Sequence, residues 1–544
     1  MTKFIPGGPE RYAHQKRGLN RLIETGGKCA LLFDPGTGKT ATALDYASLL
    51  TLKGPGETRV LVVAPLVAVD TWVDQATKWV SPQVNFWAEA LGGSLLHRAE
   101  ALAARGGQPH HKPLVERSPR VKPHHPRALH HERSLAWSYR TTREVPVTPG
   151  EGPDAIAEPR LVITVINIDT LARRDQVGRK TMADVMVDAI LRYSPELLIV
   201  DESHKIKGVS TNASRLLSRV EQHVPRRVLL TGTVMPSGPM DVFGQWRFME
   251  PYAFGDVQPD GSRKRATFGG FRARYAVEGG WMGKEIIGYR NLDEMQQIMA
   301  VNSSVARKKD ALDLPPTTDT EVGVDLSAAE KKAYSQMRDQ LATDLAGGAL
   351  ASAPNKLTQM LRLRQITSGH LPDDTGSVRN IGLSKAKTIA SLVHDTLVGE
   401  KRIVVFALFT KEIRDLERVL AKAGTEVMMI SGATSQQDRM RMRRRFGSDD
   451  PQRMVMVAQI KTMSLAVNEL VTANHAIFAS LSQQRDDYIQ ARDRLDRIGQ
   501  TRPVTFWHAV AHGTVDEVIL KSHREKTDLE NAMLHHIAGS PGNV

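Results

Sequence analysis

The chain has 544 residues, with 73 Lys+Arg against 60 Asp+Glu and a formal net charge of +13. At roughly 100–200 residues per domain this length predicts three or four domains, and 41% hydrophobic with 24% charged residues excludes global disorder. The basic surplus points to a polyanionic partner. A single cysteine, Cys29, excludes an intramolecular disulfide framework and a cysteine-based zinc cluster, and fits a reducing compartment. The opening MTKFIPGGPERYAHQ holds no apolar run of the signal-peptide kind, and no stretch of about 18 apolar residues occurs after it, so no membrane partner is expected.

In chain order, CALLF (29–33), RVLVVA (59–64), RLVITVI (160–166), ELLIVD (196–201) and RVLLTG (227–232) are apolar throughout rather than alternating. That pattern predicts parallel strands covered on both faces. Helical periodicity over 39–52, 68–80, 179–193 and 211–222 separates them, the signature of an open α/β sheet. Residues 97–150 differ: ten Lys/Arg against four Glu give +6, with seven of the eighteen histidines and no sustained apolar period. They read as a flexible basic insertion. His110-His111, His124-His125 and His130-His131 fit a solvated loop better than a metal site. The stretch 251–383 reads as largely helical and polar, with breakers at Pro251, Gly269, Gly270, Pro315 and Pro316. RIVVFAL (402–408), EVMMI (426–430), RMVMVA (453–458), HAIFAS (475–480) and VTFWHAV (504–510) then repeat the strand pattern. The expected division is therefore lobe one over 1–250, a helical region over 251–383 and lobe two over 384–544.

DPGTGKT (34–40) lies between a predicted strand and a predicted helix, the setting of a phosphate-binding loop. Gly36 and Gly38, flanking Thr37, let backbone N–H groups face phosphate oxygens. Lys39 would reach the β- and γ-phosphates, and Thr40 would place its hydroxyl on Mg²⁺. Phe33 stands where the strict pattern has glycine. LLIVDESHK (197–205) ends a strand in two acids. Asp201 is placed to hold Mg²⁺ through water and Glu202 to orient and deprotonate an attacking water; a surface acidic pair is the alternative. LLTGT (229–233) is a weaker signal. In QARDRLDRIGQ (490–500), Arg494 and Arg497 are three apart and would share one helix face, suited to neutralising charge on a transferring phosphoryl group. The interleaved Asp493 and Asp496 also fit a salt-bridged surface helix. Cys29, Trp72, Trp79, Met428, Met429, Met454 and Met456 are expected in cores. The Arg439–Arg445 cluster fits either phosphate contact or a solvated face.

The order of these pieces resembles the superfamily-two helicases, most closely the SWI/SNF-related (Snf-two) DNA translocases, over about residues 10–530. RYAHQKRGLNRL (11–22) resembles the family's opening motif, whose glutamine, here Gln15, reads adenine. VLVVAPLVAVDTWVDQATKW (60–79) resembles a motif that touches the DNA backbone. DESH (201–204), TGTVMP (231–236), RKKDALDLPP (307–316), MISGATSQQDRMRMRRRF (429–446) and QARDRLDRIGQ resemble the family's later motifs. KTMSLAVN (461–468), keeping Asn468, and SLSQQ (480–484) depart from the family pattern, as do Pro35 and Thr37. The resemblance implies two RecA-like parallel-sheet lobes. Lobe one would supply Gln15, Gly36, Thr37, Gly38, Lys39, Thr40, Asp201 and Glu202 to ATP and Mg²⁺, and lobe two Arg494 and Arg497. It further implies a DNA-dependent ATPase that tracks duplex or branched DNA. The alternatives are a strand-separating DNA or RNA helicase of another branch, or a non-catalytic nucleic-acid-binding protein. With no histone-reader, nuclease-like or zinc-binding segment, a bacterial or phage source and a cytoplasmic location are expected.

Overall fold

The computed structural model describes residues 4–105, 138–143, 161–172, 176–177, 180–279, 285–346, 353–372, 378–421, 425–464 and 468–538. The chain forms two compact units, one of Met1–Leu312 with Leu529–Val544, the other of Asp313–Asp528.

The first unit is built on strands β1 (Lys28–Phe33), β2 (Thr58–Ala64), β3 (Phe86–Leu91), β4 (Ser138–Arg143), β5 (Leu161–Asn167), β6 (Leu197–Asp201) and β7 (Arg226–Thr231). The hairpin β8 (Ala276–Gly279) and β9 (Glu285–Tyr289) stands apart, and β10 (Ser303–Ala306) completes the main sheet. Its order is β10-β1-β7-β6-β2-β5-β3-β4, parallel except for the β3–β4 pair. This is a RecA-like sheet. Side chains of the central strands alternate between two apolar layers, Leu61, Leu198 and Leu229 on one face and Val60, Leu197 and Val228 on the other. Burial on both faces is why these segments read as unbroken apolar runs. Helices α1 (Ala13–Glu24), α2 (Lys39–Lys53), α3 (Leu66–Trp79) and α4 (Leu95–Arg105) pack against this sheet.

The second unit carries an all-parallel sheet of β11 (Thr317–Val324), β12 (Arg402–Ala407), β13 (Glu426–Ile430), β14 (Met454–Gln459), β15 (His475–Phe478) and β16 (Val504–Ala511) in the order β11-β16-β15-β12-β14-β13. It too has an apolar layer on each face. The closing helix, Val515–Ala538, contributes its residues through Asp528 to this unit and the remainder to the first.

One expectation is corrected here. Part of the basic insertion is regular structure: α4 buries Ala99, Ala101 and Leu102, and β4 pairs along β3. The helix begins at Leu95, ahead of the boundary drawn at 97, so that boundary cuts its Leu95–Ala99–Leu102 spacing. Residues 106–137 and 144–150 of that insertion lie outside the described residues. The stretch 251–383, expected as largely helical, holds strands beside its helices, and its residues divide between the two units. It contains the β8–β9 hairpin, and β10 and β11 add edge strands to different sheets. Among the described residues no helix is long and apolar enough to cross a membrane.

Candidate nucleotide site

Parallel pairing aligns the carboxyl ends of β1, β7 and β6, with Leu32 opposite Thr231 and Leu230 opposite Asp201. The crevice beyond strand carboxyl ends is where open α/β sheets bind ligands. DPGTGKT follows β1 directly. Gly36 and Gly38 adopt φ of 86° and 98°, a region that β-carbon-bearing residues avoid, so glycine is required at both. Thr37 between them is buried, and its hydroxyl donates to Asp34 O at 2.8 Å. Lys39 opens α2 and donates Nζ–H to Phe33 O at 2.8 Å, folding over the loop it serves. Thr40 sits in the first turn of α2.

The loop is gripped from three sides. Gln15 on α1 donates Nε2–H to Thr37 O at 3.0 Å while its Oε1 accepts Tyr12 N–H at 3.2 Å. His14 reaches the same Thr37 carbonyl through Nε2 at 2.7 Å. A bidentate pair of Arg11 with Asp45 (2.6 and 2.9 Å) anchors this corner to α2, and Arg11 also lies 4.6 Å over the Trp79 ring. From the other side, Asp34 accepts Lys308 N–H at 2.9 Å and lies 3.7 Å from the Arg307 guanidinium. That contact ties the loop to the RKKD segment. Finally, Gly232 of TGTVMP packs so closely that a β-carbon there would meet Pro35 at 2.6 Å.

Asp201 ends β6, and Glu202 turns into left-handed backbone at φ 50° before a short 3₁₀ turn, Ser203–Ile206. Strain of this kind in a non-glycine residue clusters at functional sites. The two acids are not equivalent. Asp201 accepts Trp72 Nε1–H at 2.8 Å and the Glu202 N–H at 2.9 Å. Burial, then the neighbouring Glu202 charge, pushes its carboxyl up. For Glu202 burial acts in the same direction, but the His204 contact at 3.3 Å and the Lys39 charge outweigh it and hold the group ionised. An anionic Glu202 suits a proton acceptor.

DESH and TGTVMP are wired together. His204 Nδ1 lies 3.3 Å from the Thr231 hydroxyl, which donates to Thr233 O at 2.9 Å. Buried Gln245 accepts from the Ser203 hydroxyl at 2.7 Å and donates to Val234 O at 2.8 Å. Glu530, from the closing helix, accepts the N–H groups of Val234 and Met235 at 2.8 and 3.1 Å. His14, Trp72, Gln245 and Glu530 escape sequence reasoning as site residues. His14, adjacent to Gln15, and Trp72, within VLVVAPLVAVDTWVDQATKW, lie in motifs the sequence singles out; Gln245 and Glu530 do not.

The donor set is one of oxygen ligands, a hydroxyl at Thr40 and a carboxylate at Asp201. Mg²⁺ commonly binds through one or two carboxylates plus nucleotide phosphates rather than an all-protein cage. Each Asp201 oxygen accepts one N–H, which leaves lone pairs for a metal or its waters, so these residues fit the ion.

In the second unit, Arg494 and Arg497 do not share a helix face. The helix Arg485–Arg492 stops short of both, and they lie in the turns after it. Buried Leu495, Gly499 at φ 102° and the Gln500 amide, which donates to Ala473 O at 2.8 Å and Val471 O at 3.2 Å, impose that turn. Burial pulls the Arg497 guanidinium down in pKa. Arg492, on the same motif, is structural: it forms a bidentate pair with Asp319 and lies 4.0 Å over the Phe506 ring. Arg443 and Arg445 pair with Glu469, Glu426 and Asp450, so these two members of the basic cluster are held within the fold.

The family model of the SNF2-related domain matches residues 14–370, and that of the helicase conserved C-terminal domain matches residues 384–499. The chain is similar to the DNA annealing helicase and endonuclease ZRANB3 of Bos taurus, at 25% identity over 362 residues, 65% of this chain and 31% of that protein. It is also similar to the SWI/SNF-related matrix-associated actin-dependent regulator of chromatin subfamily A-like protein 1 of Xenopus tropicalis, at 22% identity over 515 residues, 94% of this chain and 44% of that protein. It thus spans less than half the length of either relative. A solved Sulfolobus solfataricus SWI2/SNF2 ATPase core in complex with dsDNA aligns over 99% of this chain and 97% of that one, at 17% identity and a TM-score of 0.36.

Proposed function

This chain belongs to the SNF2-related family, and from that premise we propose that it is an ATP-driven motor that moves along duplex or branched DNA, remodelling it or displacing what is bound to it. The observation that carries the reading is the convergence of DPGTGKT, Asp201-Glu202 and TGTVMP on one strand edge. In this reading the backbone N–H groups around Gly36 and Gly38 take the phosphates, and Lys39 exchanges Phe33 O for phosphate oxygen. Gln15 meets the adenine. Thr40 and Asp201 would hold Mg²⁺, which would supply positive charge to the nucleotide phosphates. Glu202 accepts the proton of the attacking water, kept ionised by His204 and Lys39. Arg494 and Arg497 neutralise charge that develops on the transferring phosphoryl group.

Hydrolysis is then linked to DNA through TGTVMP. Its loop is bonded to DESH through Thr231 and Gln245, so a change at Glu202 reaches it without rearranging the sheet. The net +13 favours phosphate-backbone contacts, which position a protein on DNA without reading sequence. The single buried cysteine fits a reducing interior, and we infer the cytoplasm of a bacterium or a phage-infected cell.

Triplex displacement tests the motor directly. ATP-dependent release of a third strand from an unopened duplex supports translocation. Release that is indifferent to ATP, alongside efficient unwinding of a simple fork, moves the protein to the strand-separating class.

A further inference from the structure

The crossover from β2 to its neighbour places one indole against the acidic motif. After Pro65, α3 runs back over the sheet and buries Trp72 to 2% exposure. β6 lies beside β2, with Val63 opposite Val200, so the side chain reaches the residue at the end of the adjacent strand. A buried indole N–H needs an acceptor, and this one takes a carboxylate oxygen, Asp201 Oδ2, at 2.8 Å. The other oxygen, Oδ1, accepts the Glu202 N–H at 2.9 Å. Two donors on two oxygens fix the carboxylate plane. One of them is main chain and cannot be lost by mutation; the other is Trp72 alone.

We propose that Trp72 is a positioning residue for the divalent cation that accompanies the nucleotide, acting by locking the orientation of the Asp201 carboxylate. The proposal rests on the nucleotide-site reading above. Its physical basis is that partners of a metal-binding carboxylate set which lone pairs face the ion, and that removing such a partner typically costs about 10–100-fold in metal affinity or activity. Trp72 therefore does more than fill the layer it shares with Val73 and Val69. Phenylalanine at 72 keeps most of the ring and its burial but has no N–H. It leaves Asp201 Oδ2 without its donor and the carboxylate held at Oδ1 alone, so its plane is no longer fixed.

The test measures metal binding apart from turnover. Mn²⁺, whose free ion is read by electron paramagnetic resonance, is titrated into the full-length protein with ADP. ADP affinity is measured separately in excess EDTA. Trp72→Phe is expected to weaken Mn²⁺ binding to the protein–ADP complex by about tenfold or more while metal-free ADP affinity changes less than about twofold. Unchanged Mn²⁺ affinity in a folded Trp72→Phe protein overturns the proposal, as does a parallel loss of ADP affinity, which marks a general packing defect. If the phenylalanine variant folds poorly, 3-benzothienylalanine at position 72, in which sulfur replaces the N–H within a ring of the same shape, answers the same question. Wild-type protein that takes up no Mn²⁺ beyond that bound by ADP alone overturns the nucleotide-site reading itself. The Trp72 role falls with it.

Discussion

The Gln15 side-chain amide lies directly over the Cα of Gly38, so closely that a β-carbon on Gly38 would collide with Nε2. The same nitrogen donates to Thr37 O at 3.0 Å. Gly38 is therefore needed twice, for its φ of 98° and for the space Gln15 occupies. Left-handed backbone costs a β-carbon-bearing residue about 1–2 kcal/mol. Gly38→Ala is expected to displace both the loop and Gln15, weakening fluorescent ADP binding at least about tenfold. Far-ultraviolet circular dichroism should stay that of the wild type.

In the proposed reading, Lys39 acts in nucleotide binding and Glu202 in the chemistry. Lys39→Ala removes the charge that meets the phosphates, so both nucleotide affinity and hydrolysis should fall. Glu202→Gln keeps the shape of the site and loses the proton acceptor. It should bind ATP as wild type does and turn it over at least about 10²-fold more slowly, within the range for loss of a general base. Filter binding and single-turnover hydrolysis distinguish the two variants, and wild-type turnover in Glu202→Gln removes the general-base assignment.

Arg497 is read as acting on the transition state rather than on the bound nucleotide. Arg497→Ala should lower kcat by roughly 10³-fold or more, as for other arginine fingers, with ADP affinity nearly unchanged. A variant that instead melts at lower temperature and loses nucleotide binding would show that the residue only braces the turn before Gln500.

Acid should weaken the second unit through His523. Burial against the Tyr488 ring, stacked at 5.1 Å, holds the imidazole at about 4, and its Nε2 donates to Ser482 O at 2.7 Å. The folded state stays neutral where the unfolded chain, titrating near its ordinary 6.5, binds a proton. Stability is therefore complete above pH 6.5 and falls as pH drops toward 4, by up to about 1.4 kcal/mol per pH unit for this group. Urea unfolding of His523→Gln across that window should show a pH slope shallower by about that amount. An unchanged slope rules out His523 as the source.

What the sequence discloses depends on which interactions are local. The central strands are legible because burial on both faces makes them unbroken apolar runs, and DPGTGKT because its glycines, lysine and threonine act within one turn. The Ser-rich edge strand β10 and the Thr-rich β11 are not, since they belong to sheets only through partners far along the chain. Arg494 and Arg497 have helical spacing, yet Leu495, Gly499 and Gln500 fold that segment as a turn through contacts to Val471 and Ala473. Trp72 is correctly expected in a core. Its bond to Asp201 is invisible beforehand because it depends on β2 and β6 being neighbours.

Steady-state ATPase activity of the full-length chain, measured with single-stranded DNA, duplex DNA, forked DNA and RNA and repeated with Lys39→Ala, tests the central claim most directly. The account predicts that duplex or forked DNA stimulates the wild type at least as well as single strands do, that RNA does not, and that Lys39→Ala is inactive with every substrate. Hydrolysis indifferent to DNA, or stimulated by RNA alone, would contradict it.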